Sequence, residues 1–141
     1  MNYSRQNELF RQWSRDYQGI LAKVARSFAE AADRDDLMQE LLLSLWNALP
    51  AFRAESSPST FVYRVACNCA LTWQRSVRRR QDRFGFLEHD PPAPAAGDSS
   101  RIEALYSAVR ELSDADRALV LLYLDEVPYR RLAESITGET K

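Results

Sequence analysis

The sequence predicts an all-α protein: two small helical domains joined by a flexible linker. Three features carry that expectation. Apolar residues recur at spacings of three and four along both halves of the chain, the period of a helix that buries one side. Capping residues and helix breakers fall at the ends of those runs. Between the halves the pattern dissolves into Pro91, Pro92, Pro94, Gly97 and alanines with scattered acids, the composition of a spacer. The expected division is residues 1–83, a linker over 84–100, and a second helical unit over 101–141.

In the first unit, Leu9, Phe10, Trp13, Tyr17, Ile20, Leu21, Val24, Ala25 and Phe28 predict helical scaffolding from about Arg5 to Ala32, bent near Gly19. Asp33 to Asp36 supply an N-cap and negative charge for a second helix, which runs to Leu49 and stops before Pro50. Steps of about 100° place Leu37, Met38, Leu41, Leu42, Leu45, Trp46 and Leu49 on its buried side. Asp36, Gln39, Glu40 and Asn47 share the other side, with Leu43 among them. That face reads either as a solvated surface with one stray leucine or as an apolar anchor rimmed by carboxylates for a basic partner.

Residues 51–60 are rich in serine and broken by Pro58, hence a loop whose hydroxyls either cap the next helix or line a polar pocket. The helix expected from Phe61 to about Arg80 buries Val62, Val65, Ala66, Cys69 and Trp73. Its other side gathers Arg64, Asn68, Arg75 and Arg79, with Thr72 and Phe61 nearby. Arginine at a helix C-terminus is favourable in any protein. Here Arg75, Arg78, Arg79, Arg80 and Arg83 crowd together, and phosphate is the obvious counter-charge.

Beyond the linker, where Phe84, Phe86 and Leu87 are expected to pack back on the first unit, Ile102, Leu105, Val109 and Leu112 form an apolar stripe. Ser113-Asp114-Ala115-Asp116 then resembles a capping box opening a leucine-rich helix through Leu124. Pro128 and Gly138 frame a third helix, Tyr129 to Ile136, giving the outline of a helix-turn-helix or of a plain helical hairpin.

Composition narrows the function classes. With 141 residues, 45% apolar and 28% charged, the chain is globular in type, and no apolar run approaches a membrane span. The N-terminus lacks the apolar core of a secretory signal, so a cytoplasmic protein without membrane insertion is the default. The net charge of −1 hides segregation: five acids and one base between Glu30 and Glu40, no acid and five arginines between Ser56 and Gln81. Such asymmetry calls for two kinds of partner surface. Cys67 and Cys69 point to nearly opposite faces of one helix, and His89 lies in the linker without ligand companions, so neither a metal nor another cofactor is expected. With no glycine-rich phosphate loop and no nucleophile beside a base, an enzyme has no support.

The run Asp36-Leu37-Met38-Gln39-Glu40 into Leu43-Ser44-Leu45-Trp46, then Phe52-Arg53-Ala54-Glu55-Ser56-Ser57, then Thr60-Phe61-Val62-Tyr63-Arg64-Val65-Ala66-Cys67-Asn68, resembles region 2 of the extracytoplasmic-function sigma factors of the sigma-70 superfamily in order and spacing. Leu112-Ser113 and Pro128 through Glu134 resemble the start of region 4 more weakly. The resemblance implies a transcription initiation factor, not an enzyme, made of a region 2 bundle and an incomplete region 4. Asp36, Gln39, Glu40, Leu43 and Asn47 then form the surface that grips the β′ clamp helices of core RNA polymerase, with the β subunit as a further contact. Phe52 to Ser57, with Arg53 and Ser56 among them, match the loop that receives an unstacked base of the minus-10 element, and Thr60 and Phe61 are further DNA-binding positions beside it. Arg64, Asn68, Arg75 and Arg79 face the single-stranded non-template strand of promoter DNA. Phe52 and Phe61 offer faces for stacking, Ser56, Ser57 and Asn68 offer hydrogen bonds, and the linker acids Glu88, Asp90 and Asp98 imitate nucleic-acid charge.

An anti-sigma factor is the further partner that the family implies. Pro58, Ser59 and Cys67 depart from residues frequent in the family, as do Arg130 and Arg131, which stand at often acidic positions. The chain reaches Lys141 where the recognition helix of region 4 would begin, so a region 4 cut short within its motif, with poor reading of the minus-35 element, is expected. The competing expectation is a sigma-like module that binds polymerase or an anti-sigma factor without opening DNA.

Overall fold

Asn2 starts the first helix: its side-chain oxygen accepts a hydrogen bond from the Arg5 backbone N–H at 2.8 Å, satisfying one of the donors that every helix start leaves free. In this computed structural model, residues 1–84 and 98–124 are described, and among them every regular element is helical. Helix α1 spans Tyr3–Asp16, α2 Gln18–Phe28, α3 Arg34–Ala48, α4 Pro58–Phe84, α5 Asp98–Arg110 and α6 Asp114–Leu124, with short 3-10 turns at Ala31–Asp33 and Leu49–Ala51. The all-α expectation holds for the described residues.

Several boundaries differ from expectation, each for a local reason. The first long helix breaks at Tyr17, with φ −112° and ψ 20°, rather than bending at Gly19. Tyr17 still donates its N–H to the Trp13 carbonyl at 2.9 Å, so the two halves remain nearly continuous. Asp33 makes no side-chain cap for α3; the 3-10 turn before it leads the chain in, and Asp35 and Asp36 supply negative charge to the first turn instead. Pro58 is not in the loop but in the first turn of α4, where a missing N–H costs nothing. Ser57 precedes it as the cap, its hydroxyl accepting the Thr60 N–H at 3.3 Å. Helix α5 begins at Asp98, inside the stretch expected as linker. The expected third helix, Tyr129 to Ile136, with Pro128, Arg130, Arg131 and Gly138, lies outside the described residues, as do Phe86, Leu87, Glu88, His89 and Asp90.

Helices α2, α3 and α4 form the centre, with α4 lying along both of the others. Leu37, Leu41, Leu45 and Leu49, recurring every fourth residue, are fully buried against Leu21, Val24, Ala25, Phe28, Val62, Tyr63, Ala66 and Ala70. Each such leucine contributes about 1.5–3 kcal/mol through burial. Trp46 closes the far end, meeting Tyr3 and Phe10 edge to face at 5.7 and 5.4 Å, while Gln6 Nε2 donates to the Trp46 carbonyl at 2.7 Å. Along α4, Tyr63 and Ala70 are buried in addition to the expected positions, and Val65, Cys69 and Trp73 only in part. Burial pushes the Cys67 thiol up to about 12, so it stays protonated at neutral pH and serves as packing.

The α5–α6 hairpin packs on α2 and α4 through a polar seam. Glu103 accepts from Arg26, Arg34 and Arg110 at 3.0, 3.1 and 3.2 Å. Arg117 is 1% exposed. Its guanidinium donates to the carbonyls of Val109, Arg110 and Leu112 at 3.3, 2.7 and 3.0 Å and to Gln74 Oε1 at 3.0 Å. It also stacks 4.6 Å from the Phe28 ring centre. One side chain thus satisfies the C-terminal carbonyls of α5 and joins α6 to α2 and α4. Of the expected apolar stripe on α5, only Val109 is buried; Ile102, Leu105 and Leu112 remain exposed.

Candidate partner and nucleic-acid surfaces

Burial of Leu37, Leu41 and Leu45 fixes which side of α3 faces out. Asp36, Gln39, Glu40, Leu43 and Asn47 all lie on that outer side and all are exposed, Leu43 by 55%. Asp36 accepts a hydrogen bond from Trp73 Nε1 of α4 at 3.2 Å. Among the described residues neither Asp36 nor Glu40 has a cationic partner. The surface is therefore an apolar anchor among carboxylates whose charge no described residue neutralises. Between α3 and α4 opens a cleft of about 880 Å³, lined by Asp36, Glu40 and Ser44 on one wall and by Asn68, Trp73 and Arg80 on the other. Within it the Cys69 thiol is raised from its ordinary value, first by burial, with the Ser44 hydroxyl opposing and Glu40 adding to the shift.

On α4, Arg64, Asn68, Arg75 and Arg79 follow at spacings of four, seven and four and share one side of the helix. Asn68, Arg75 and Arg79 are exposed. Arg64 is half-buried, and its Nε is a buried donor without a partner. Arg78, Arg80 and Arg83 are exposed beside them, with Asp82 the one acid in the last three turns of the helix. Cations at this density repel, and the helix C-terminus offsets only part of that cost.

The loop between them, Phe52 to Ser57, is held at both ends. At its start Phe52 meets Trp13 of α1 and Phe61 of α4, each with ring centres 5.0 Å apart and edge to face. Trp13 also meets Phe61 at 5.9 Å. At its end the Ser57 hydroxyl lies 2.9 Å from Thr60 Oγ1 and 3.2 Å from Ser59 Oγ. Arg53, Ala54 and Glu55 are exposed at the tip and Ser56 is half-buried. Ala54 has φ 58°, the left-handed region that a residue with a Cβ enters at a cost of about 1–2 kcal/mol.

Two expected roles change in this arrangement. Thr60 is 1% exposed and its hydroxyl is engaged by Ser57, so it shapes the loop from inside rather than presenting itself to a ligand. Phe52 and Phe61 are half-buried with their rings committed to Trp13 and to each other, so they anchor the loop instead of offering free faces for stacking. The sequence marks Trp13 and Trp73 only as buried positions, with no sign that one meets the loop and the other the Asp36 carboxylate. Trp13 reads as one more member of an apolar stripe, and no local signal marks the residues it meets about forty positions later. Among the described residues there is no cluster of three or more His, Cys, Asp or Glu able to hold a metal.

The family described as Sigma-70 region 2 matches residues 9–80, which contain α3, the loop and most of α4. The RNA polymerase sigma factor YlaC of Bacillus subtilis is 27% identical over 139 residues, covering 90% of this chain and 76% of its own length. The ECF RNA polymerase sigma-E factor of Escherichia coli is 25% identical over 120 residues, 82% of this chain and 56% of that protein. The ECF RNA polymerase sigma factor SigG of Mycobacterium tuberculosis is 39% identical over 61 residues, 43% of this chain but 16% of SigG, so the match spans a small part of that relative. No solved structure matches the chain. A region 2 pattern covering half of the chain, carried on a bundle with an acidic outer face on one helix and an arginine strip on another, makes this chain a member of the extracytoplasmic-function group of the sigma-70 family.

Proposed function

We propose that this protein is a transcription initiation factor, without catalytic activity, that binds core RNA polymerase in the cytoplasm and directs it to promoters. The outer face of α3 is the polymerase surface: Leu43 enters an apolar site on the β′ clamp helices while Asp36, Gln39, Glu40 and Asn47 meet basic and polar groups around it. The loop at 53–57 receives an unstacked base of the minus-10 element, and Arg64, Asn68, Arg75 and Arg79 track the non-template strand. Extruding a base costs a few kcal/mol, which contacts in the loop and the phosphate strip offset together. An anti-sigma factor would act by covering either face.

The observation that carries this reading is that two unlike surfaces adjoin across the cleft between α3 and α4 on one bundle: an exposed leucine fringed by acids that have no cationic partner among the described residues, and an arginine strip on α4. Such a body can hold a protein and a nucleic acid at once. The test is binding of a labelled single-stranded minus-10 oligonucleotide in the presence of core polymerase. Polymerase-dependent binding with preference for the promoter sequence is expected. Leu43→Glu is expected to weaken polymerase association at least tenfold with the helical signal intact. Polymerase binding without any oligonucleotide preference would replace this reading with a docking module that does not open DNA.

A further inference from the structure

The loop at 53–57 begins beside Phe52 and leads into α4 just before Phe61, so these two rings stand at its two ends. Both lean on a third, Trp13, which is 4% exposed and belongs to the first helix of the chain. The three rings form a closed triangle with centres 5.0, 5.0 and 5.9 Å apart. Tyr17 supports Trp13 from behind, its ring centre 5.8 Å away at 90°. The distance between the loop ends is thereby fixed by aromatic packing. Inside that span Ala54 sits in the left-handed region, at φ 58°. A strained residue of this kind persists only where its surroundings over-determine it. At the tip, Arg53, Ala54 and Glu55 are exposed, and among the described residues no side-chain hydrogen bond ties them to the bundle.

We propose that Trp13 is a positioning residue for the base-receiving loop: by locking Phe52 against Phe61 it holds the strained Ala54 turn in the shape that admits one unstacked base. The inference rests on the reading of this loop as the base-receiving element. At 4% exposure Trp13 has almost no surface to offer a nucleic acid. Its contribution is to prepay the ordering of the loop, which an untethered loop would have to pay on binding. The arginine strip lies along α4 and does not depend on the triangle, so the two contributions to DNA binding are separable: Trp13 governs the base term, the arginines the phosphate term.

The experiment uses the full chain with core polymerase and two single-stranded minus-10 oligonucleotides, one intact and one lacking a single base, the abasic position being moved along the element. Wild type is expected to prefer the intact strand by about tenfold at one position, the scale of one base contact. Trp13→Leu is expected to bring that ratio close to one while affinity for the abasic strand changes less than twofold. Trp13→Phe, which keeps a ring in the triangle, is expected to restore most of the preference. Hydrogen exchange of the 53–57 amides is expected to quicken in Trp13→Leu with the α3 and α4 amides unchanged. If Trp13→Leu loses its helical signal, Phe52→Leu removes a different ring of the same triangle and is expected to give the same fall in ratio. A ratio that survives both substitutions overturns the role given to Trp13. A wild type with no base preference at any position overturns the reading of the loop itself, and the role of Trp13 with it.

Discussion

Gly19 shows how a single position can work against the helix that contains it. It lies inside α2, exposed, and a Cβ built there meets nothing within 4 Å. Glycine has more backbone freedom to lose than alanine when it enters a helix, so Gly19→Ala is expected to stabilise the protein by about 0.5–1 kcal/mol. A chemical denaturation midpoint that stays put or falls would show that the glycine has a use the structure does not reveal. Ala54 is the opposite case, a residue with a Cβ where glycine would be at ease. Leu43 is different again, since its exposure strains nothing and costs little in the free protein. Its address among Asp36, Gln39, Glu40 and Asn47 was legible in the sequence because helical spacing alone puts these five on the side away from Leu37, Leu41 and Leu45. The burial of Thr60 was not, because it depends on the Ser57 hydroxyl and on how the loop closes over the start of α4.

At the scale of elements, the arginine strip of α4 and the carboxylate of α5 respond to the solvent in different ways. Replacing both Arg75 and Arg79 with alanine is expected to weaken oligonucleotide binding and to reduce its salt slope by about 1 per lost phosphate contact, roughly uniformly across sequences. An unchanged slope in a salt titration would detach the strip from phosphate. Glu103 is held below the ordinary carboxylate value of 4.5, first by its hydrogen bond to Arg26, then by Arg110 and Arg34, with burial opposing. A depressed carboxylate contributes stability that is complete above its unfolded value and is lost as pH falls through the folded one. Docking of α5 on α2 is therefore expected to hold at neutral pH and to loosen below about 4.5, and Glu103→Gln to remove that acid dependence. Amide exchange in α5 against pH measures this. Equal profiles for the two proteins would show that the three arginines contribute nothing through this carboxylate.

For the whole molecule, Arg117 joins the α5–α6 hairpin to the bundle of α1 to α4. It is the one fully buried arginine among the described residues and reaches α2, α4 and α5 from its place in α6. Burial lowers its pKa first, Asp114 opposes, and Arg78 and Arg110 add to the lowering, yet a guanidinium remains charged throughout the useful pH range. Arg117→Ala leaves the carbonyls of Val109, Arg110 and Leu112 and the Gln74 amide oxygen without their donor, at a cost of about 3 kcal/mol. The expected result is that a single cooperative unfolding transition divides in two, α5 and α6 melting before the bundle of α1 to α4. Arg117→Lys is expected to rescue little, since one ammonium cannot replace the planar fork. One unsplit transition in both variants would mean that the Glu103 ion pairs, with Val109 and Leu121, hold the hairpin in place without Arg117.

Periodicity and charge segregation determined by themselves that the described residues are helical, that α3 and α4 exist to within a few residues of their ends, and which of their sides meet water. Those features are local: residues three, four and seven apart share a side of a helix whatever lies opposite. The partners of that other side are not local, and only the tertiary structure decided them. Trp13 and Phe52, or Arg117 and Gln74, are some forty residues apart, and their meeting depends on the angles at which helices cross. An arginine also reads as surface in any sequence, because the cost of burying it is offset only when folding brings carbonyls from a helix end around its guanidinium.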